Sequence, residues 1–203
     1  MSHEQLHPCA RCAATQKTCC QTAQIVVTSG DVARIAAHTG RLDFAHRAAP
    51  LDPSYSDPDP DDPNWVRYTI AQDGTRHVLR KQDAQSPGVG GHPGQPGDCT
   101  FLGPAGCVLP TPVRPLVCRL YPFMYNEHRL EGPADESGGL DETYCPTHLF
   151  LDADRRALPA STLHPGTPNT TMLTVLQMDP RDGERWRATL YEELRADHDA
   201  RKS

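Results

Sequence analysis

Apolar positions along this chain come in short bursts separated by polar, proline-rich stretches. Gln24 to Val27 (QIVV) reads as a short strand. Thr28-Ser29-Gly30-Asp31 follows as a helix start, with a capping hydroxyl and an acidic residue three positions on. Val32, Ile35 and Ala36 then make one apolar face, and Gly40 supplies the stop. A second short helix is predicted over Leu42 to Ala48, ended by Pro50. Trp65 to Ile70 and His77 to Arg80 flank the turn signal Asp73-Gly74, which predicts a hairpin. Short strands and turns are expected from Asp98 to Cys145, with one short helix opened by Pro115 and closed by Pro122. Beyond them the pattern predicts a short helix at Thr171 to Met178 and a final helix from about Asp182 to Ala200. Trp186, Leu190, Tyr191 and Leu194 form one stripe on that last helix, the mark of core packing.

The intervening segments set the organisation. Residues 50–63 (PLDPSYSDPDPDDP) are acidic and broken by proline, hence an exposed loop. Asp57, Asp59, Asp61 and Asp62 lack the central glycine and terminal glutamate of a calcium loop, so they read as solvated charge. Residues 84–97 (AQSPGVGGHPGQPG) are a low-complexity linker. The expected fold class is α+β: a small, loop-rich, metal-stapled domain of short helices, short strands and an inserted β-hairpin, plus a C-terminal amphipathic helix. The cysteine-bearing domain spans residues 1–160 with 50–97 as the insertion, and 161–203 form a helical extension packing on it.

Composition explains why a staple is needed. Only 37% of the 203 residues are apolar, while 20 are proline and 15 glycine, so the core is modest. The formal net charge is −6 and the basic residues are scattered, which excludes the footprint of a nucleic-acid binder. No signal-peptide run opens the chain and no membrane span follows, giving an expected cytoplasmic location. Thiols stay reduced there, and clustered cysteines hold metal more often than disulfides.

The eight cysteines are the main chemical resource: Cys9-x-x-Cys12, Cys19-Cys20, Cys99, Cys107, Cys118 and Cys145. Thiolates select zinc, copper(I) or iron–sulfur clusters over hard cations. Two residues between Cys9 and Cys12 let one turn wrap a single ion. Neighbouring side chains such as Cys19 and Cys20 point apart, so they either face different sites or divide into one ligand and one packed or reactive thiol. Two tetrathiolate sites would use all eight cysteines, while an even number also permits disulfides. Cys99-Thr-Phe-Leu-Gly-Pro-Ala-Gly-Cys107 reads as strand, turn and strand, with Gly103 and Gly106 expected to supply positive φ.

Around Cys118, Arg114 and Arg119 are placed to offset thiolate charge through hydrogen bonds to sulfur, or else to pair with surface carboxylates. His7 and His148 stand beside Cys9 and Cys145 but read first as structural histidines. Tyr121, Tyr125, Arg119 and His148 are the candidates if the metal region also performs catalysis on a protein or small molecule. A third reading is a disulfide-stapled binding module. No Ser–His–Asp pattern, phosphate loop or dinucleotide glycine motif is present.

The order C-x-x-C, CC, DVARIAAHTG, CTFL, GC, RPLVCRLYPF and a last cysteine resembles the YkgJ family of cysteine-cluster proteins over residues 9–145, interrupted by 50–97. The resemblance implies zinc or iron chelation, the iron as an ion or an iron–sulfur cluster. It implies Cys9, Cys12, Cys19, Cys20, Cys99, Cys107, Cys118 and Cys145 as the ligands. One branch of the family includes flagellin lysine N-methylases, but this chain lacks an S-adenosylmethionine motif, so methylation is not carried over.

Overall fold

Thr28 opens the first long helix by a reciprocal cap. Its hydroxyl accepts the Asp31 N–H at 2.9 Å, and the Asp31 carboxylate accepts the Thr28 N–H at 3.3 Å. Gly40 closes the helix in the left-handed conformation, φ 69°, as the sequence predicts. The computed structural model describes residues 19–82, 97–103, 106–121, 123–131 and 179–203. Cys9, Cys12, Cys145, His7, His148 and the helix expected at Thr171 to Met178 lie outside the described residues.

In chain order the elements are α1 (Cys19–Thr22), α2 (Ser29–Thr39), β1 (Ala45–Ala48) and, after a 3-10 turn at Pro53–Ser56, α3 (Pro63–Thr69). Next come β2 (Arg76–Leu79), β3 (Leu102–Gly103), β4 (Gly106–Cys107), α4 (Leu116–Leu120), β5 (Met124–Tyr125), β6 (Leu130–Glu131) and α5 (Pro180–Ala200). The described strands form three two-stranded antiparallel ladders: β1 with β2, β3 with β4, and β5 with β6. Helix and strand are mixed, an α+β arrangement.

Several local expectations are corrected, among them Asp62, which is not solvated charge but buried, accepting the Tyr191 hydroxyl. Leu42 to Ala48 does not make a second helix; its latter half is β1, with Ala45 opposite Leu79 and Ala48 opposite Arg76. Only nine residues lie between the helix-ending Gly40 and Pro50, and pairing with β2 satisfies their backbone in place of a helical turn. Trp65 to Ile70 does not pair with His77 to Arg80, because it lies in α3 and its C-cap. Pro63 fits the first helical turn, and the helix presents Trp65 and Tyr68 to α5. Gly74 takes its turn conformation at φ 75°, but the turn joins α3 to β2.

The QIVV segment forms a single bridge, Val26 to Val78, on the other edge of β2. Val27 N–H donates to His77 C=O at 3.0 Å and Leu79 N–H to Ile25 C=O at 2.9 Å, so Ile25 and Val27 share the face that enters the core. In the β3–β4 turn, Gly106 adopts positive φ, 95°, whereas Gly103 does not. Gly103 is needed for space: a Cβ there would lie 2.7 Å from Val108 Cγ1.

The core has two lobes. One gathers Tyr68, Leu116, Leu120, Phe123, Leu130 and the α5 stripe of Leu190, Tyr191 and Leu194, with Trp186 packed against it. The other gathers Ile25, Val27, Ile35, Phe44, Leu79, Cys99, Phe101 and Leu109. Helix α4 serves both, since Leu116 and Leu120 face the first while Cys118 packs on the second.

Two outcomes follow from this packing. Leu190 is fully buried, so Leu190→Ala is expected to lower unfolding free energy by about 2–5 kcal/mol, read by urea titration. His46, His77 and His198 are each held below the ordinary imidazole value, with burial the leading cause. The folded chain therefore takes up these protons later than the unfolded chain. Stability is expected to decline as pH falls through about 6.5, and His46→Gln, whose Nδ1 has no described partner, to flatten that decline in urea midpoints.

Candidate thiol centre

Cys99, Cys107, Cys118 and Cys20 meet on the second lobe of the core. Cys99 is part of it, and the other three pack against it. Backbone pairing brings the amino-terminal and later cysteines together: the Cys20 carbonyl accepts the Cys99 N–H at 2.8 Å and the Lys81 ammonium, also at 2.8 Å. Lys81 and Cys99 themselves form a bridge. Cys107 sits in β4 opposite Leu102, and Cys118 lies within α4. Cys99, Cys107 and Cys118 are free thiols.

The electrostatics report their proximity. Burial pushes the Cys118 thiol well above its ordinary value, and the charges of Cys20, Cys99 and Cys107 push it further. Burial likewise raises Cys99 to about 12, with Cys20 adding to the effect. Cys107 is raised by burial, against the pull of the Leu109 N–H and of Arg114. Cys99, Cys107 and Cys118 are thus protonated at neutral pH. Among the described residues, no group of three or more His, Cys, Asp or Glu side chains is set to hold a metal ion. Cys19 begins α1 next to Cys20, and successive helical positions diverge by about 100°.

The two arginines do different work. Arg114 donates from Nε to the Leu109 carbonyl at 2.8 Å, and its charge favours the Cys107 thiolate. Arg119 donates to the carbonyls of Arg114 and Pro112, both at 2.7 Å, and its guanidinium lies 5.9 Å from the Trp186 ring. It clamps the loop that leads into α4, and its charge is felt at Cys118 without a bond to the sulfur. Of the tyrosines, Tyr121 caps the end of α4, while Tyr125 packs edge-on to Trp65 at 6.0 Å in the other lobe.

Sequence reasoning assigned Asp31 only a capping role. The structure gives it a second: its fully buried Oδ1 accepts the Leu116 N–H at 3.0 Å, capping the helix that carries Cys118, and Arg34 Nη2 at 2.7 Å. Arg34 and the Thr28 hydroxyl both reach Glu193 of α5. Burial pushes the Asp31 carboxyl up, against the hydrogen bond and charge of Arg34. A capping box signals Asp31 as a helix-start residue, but nothing local announces a contact 85 positions away.

No protein-family model, curated protein or solved structure matches the chain. Among the described residues no helix is long and apolar enough to cross a membrane.

Asp31→Ala is expected to lower stability by about 2–4 kcal/mol, because it strips the Leu116 N–H and one side of Arg34 of their acceptor. It is also expected to speed alkylation of Cys118 in the metal-free protein, measured by mass spectrometry of iodoacetamide-treated samples.

Proposed function

We propose that the chain is a cytoplasmic metal-binding protein whose cysteines chelate zinc or iron, the iron as an ion or as an iron–sulfur cluster. The observation that carries this reading is four thiols on one lobe of the core, Cys20, Cys99, Cys107 and Cys118, each within the field of others. An all-sulfur donor set of this kind suits soft cations. The described side chains alone are not set as a metal-holding group, so the reading draws further ligands from Cys9, Cys12, Cys19 and Cys145. The resemblance of the cysteine order to the YkgJ family supports the same assignment.

The chain's own residues would contribute in stated ways. The Arg114 charge favours the Cys107 thiolate and would offset thiolate charge there. Lys81 sits beside Cys20 and Cys99, its charge favouring the Cys99 thiolate. Zinc would supply a closed structural or chelating centre, and an iron–sulfur cluster would supply one-electron chemistry. Because the thiols are protonated without metal, uptake is expected to release protons and to stabilise the fold.

Anaerobic purification followed by elemental analysis and an absorption spectrum tests this directly. Stoichiometric zinc in a colourless protein, or iron with broad visible absorption, is the expected result. A metal-free protein whose melting temperature is indifferent to added zinc, iron or chelator would refute the reading. Cys19→Ser and Cys20→Ser, assayed separately for metal per chain, are expected to lower the content by different amounts. Identical, non-additive losses would exclude two sites divided between them.

A further inference from the structure

Arg76 opens β2 and is only 4% exposed, yet no described carboxylate answers its charge. Its Nε donates to Gln24 Oε1 at 2.7 Å, the one side-chain hydrogen bond it makes among the described residues. The Tyr55 ring lies against the guanidinium, with Cζ 5.3 Å from the ring centroid. The nearby acids are committed elsewhere: Asp52 accepts the Ser54 N–H, and Asp73 accepts from Thr75 and Arg47. Burial pulls the Arg76 value down, but a guanidinium keeps its proton inside proteins. A buried charge with no counter-charge is costly, so the described residues leave this one incomplete.

The groups still open define what would complete it. Sealed side-chain atoms without a partner, among the described residues, belong to Arg34, His46, Asp62, Gln82 and His198. Nη1 and Nη2 of Arg76 are not among them and therefore still touch solvent. Gln24 fixes the guanidinium and is itself fixed, its Nε2 donating to the Ala49 carbonyl at 3.0 Å. With Nε engaged, the side-on Nε–Nη2 edge is closed and the end-on Nη1–Nη2 edge remains. That edge presents two N–H groups matched to the two oxygens of one carboxylate. A single positive charge balances a monoanion, whereas a sulfate dianion would carry an uncompensated charge out of water. The opening is narrow, and Tyr55, 57% exposed, forms its outer side. A small ligand fits these limits.

The geometry points to Arg76 as an end-on binding site for a small monovalent carboxylate, with the Tyr55 ring as its outer wall. The ligand oxygens accept from Nη1 and Nη2 and supply the negative charge that the described residues do not. This site uses no cysteine and is independent of the metal reading.

An NMR titration of the purified full chain tests it, following the Arg76 side-chain N–H signals, which Arg76→Gln identifies by their loss. Formate is the probe, with chloride, sulfate and methylammonium at matched ionic strength as controls. Saturable shifts with formate alone are expected. The Tyr55 ring signals, identified through Tyr55→Leu, are expected to follow the same saturation curve, a second reading that needs no change at Arg76. In Arg76→Gln, checked for unchanged circular dichroism, the Tyr55 response is expected to vanish. No saturable shift at Arg76, an equal response to any control, a Tyr55 ring that does not move with Arg76, or an undiminished Tyr55 response in folded Arg76→Gln would overturn the assignment.

Discussion

A single buried carboxylate organises the described structure. Asp31 accepts from the Thr28 and Leu116 backbones and from Arg34, and so fixes the starts of α2 and α4 against each other. Arg34 and Thr28 extend the network to Glu193, which docks α5 onto the same corner. Gly30 leaves room at this corner: a Cβ there would lie 2.3 Å from the Glu193 carboxyl carbon and push that carboxylate off Thr28 and Arg34. A buried charge of this sort is costly unless its partners are complete; two of these are local, Thr28 and Arg34, and the third, Leu116, lies 85 positions away.

The thiols depend on that corner through α4. Cys118 faces one lobe of the core because Leu116 and Leu120 are committed to the other. The loop that leads into α4 is held by Arg119 through two carbonyls, and in that loop Arg114 Nε bonds the Leu109 carbonyl. Cys20 and Cys99 are joined by a main-chain bond, and the Lys81 ammonium and Gln82 amide hold their carbonyls.

What was legible in the sequence was local. The Thr28–Asp31 cap, the Gly40 stop, the Gly106 turn and the stripe of α5 each declare themselves within a few residues, and the structure has them. The cysteine order drew attention to thiols of which four share a lobe, while the positions of Cys9, Cys12 and Cys145 lie outside the described residues. What was not legible was decided by distant partners. Ala45 to Ala48 became a strand because β2 offers it an edge, and Trp65 and Tyr68 became helical because α5 offers them a groove. The two roles of Asp31, and the division of labour between Arg114 and Arg119, were likewise invisible, since each depends on which backbone groups the fold leaves without a partner.

The span of the Thr28–Glu193 contact, 165 positions, bears on how this chain is made. A ribosome delivers Cys20 and Asp31 long before it delivers the helix that completes their corner. The α5 face of the first lobe and the far end of the charge network must wait for residues near the end of the sequence. Folding therefore closes late, with loop-closure entropy spent on long-range contacts before they stabilise anything. Until then the early thiols are open to solvent, to oxidants and to whatever soft cation the cell presents first. The order of synthesis, as much as the final geometry, sets the interval in which the cysteines need protection.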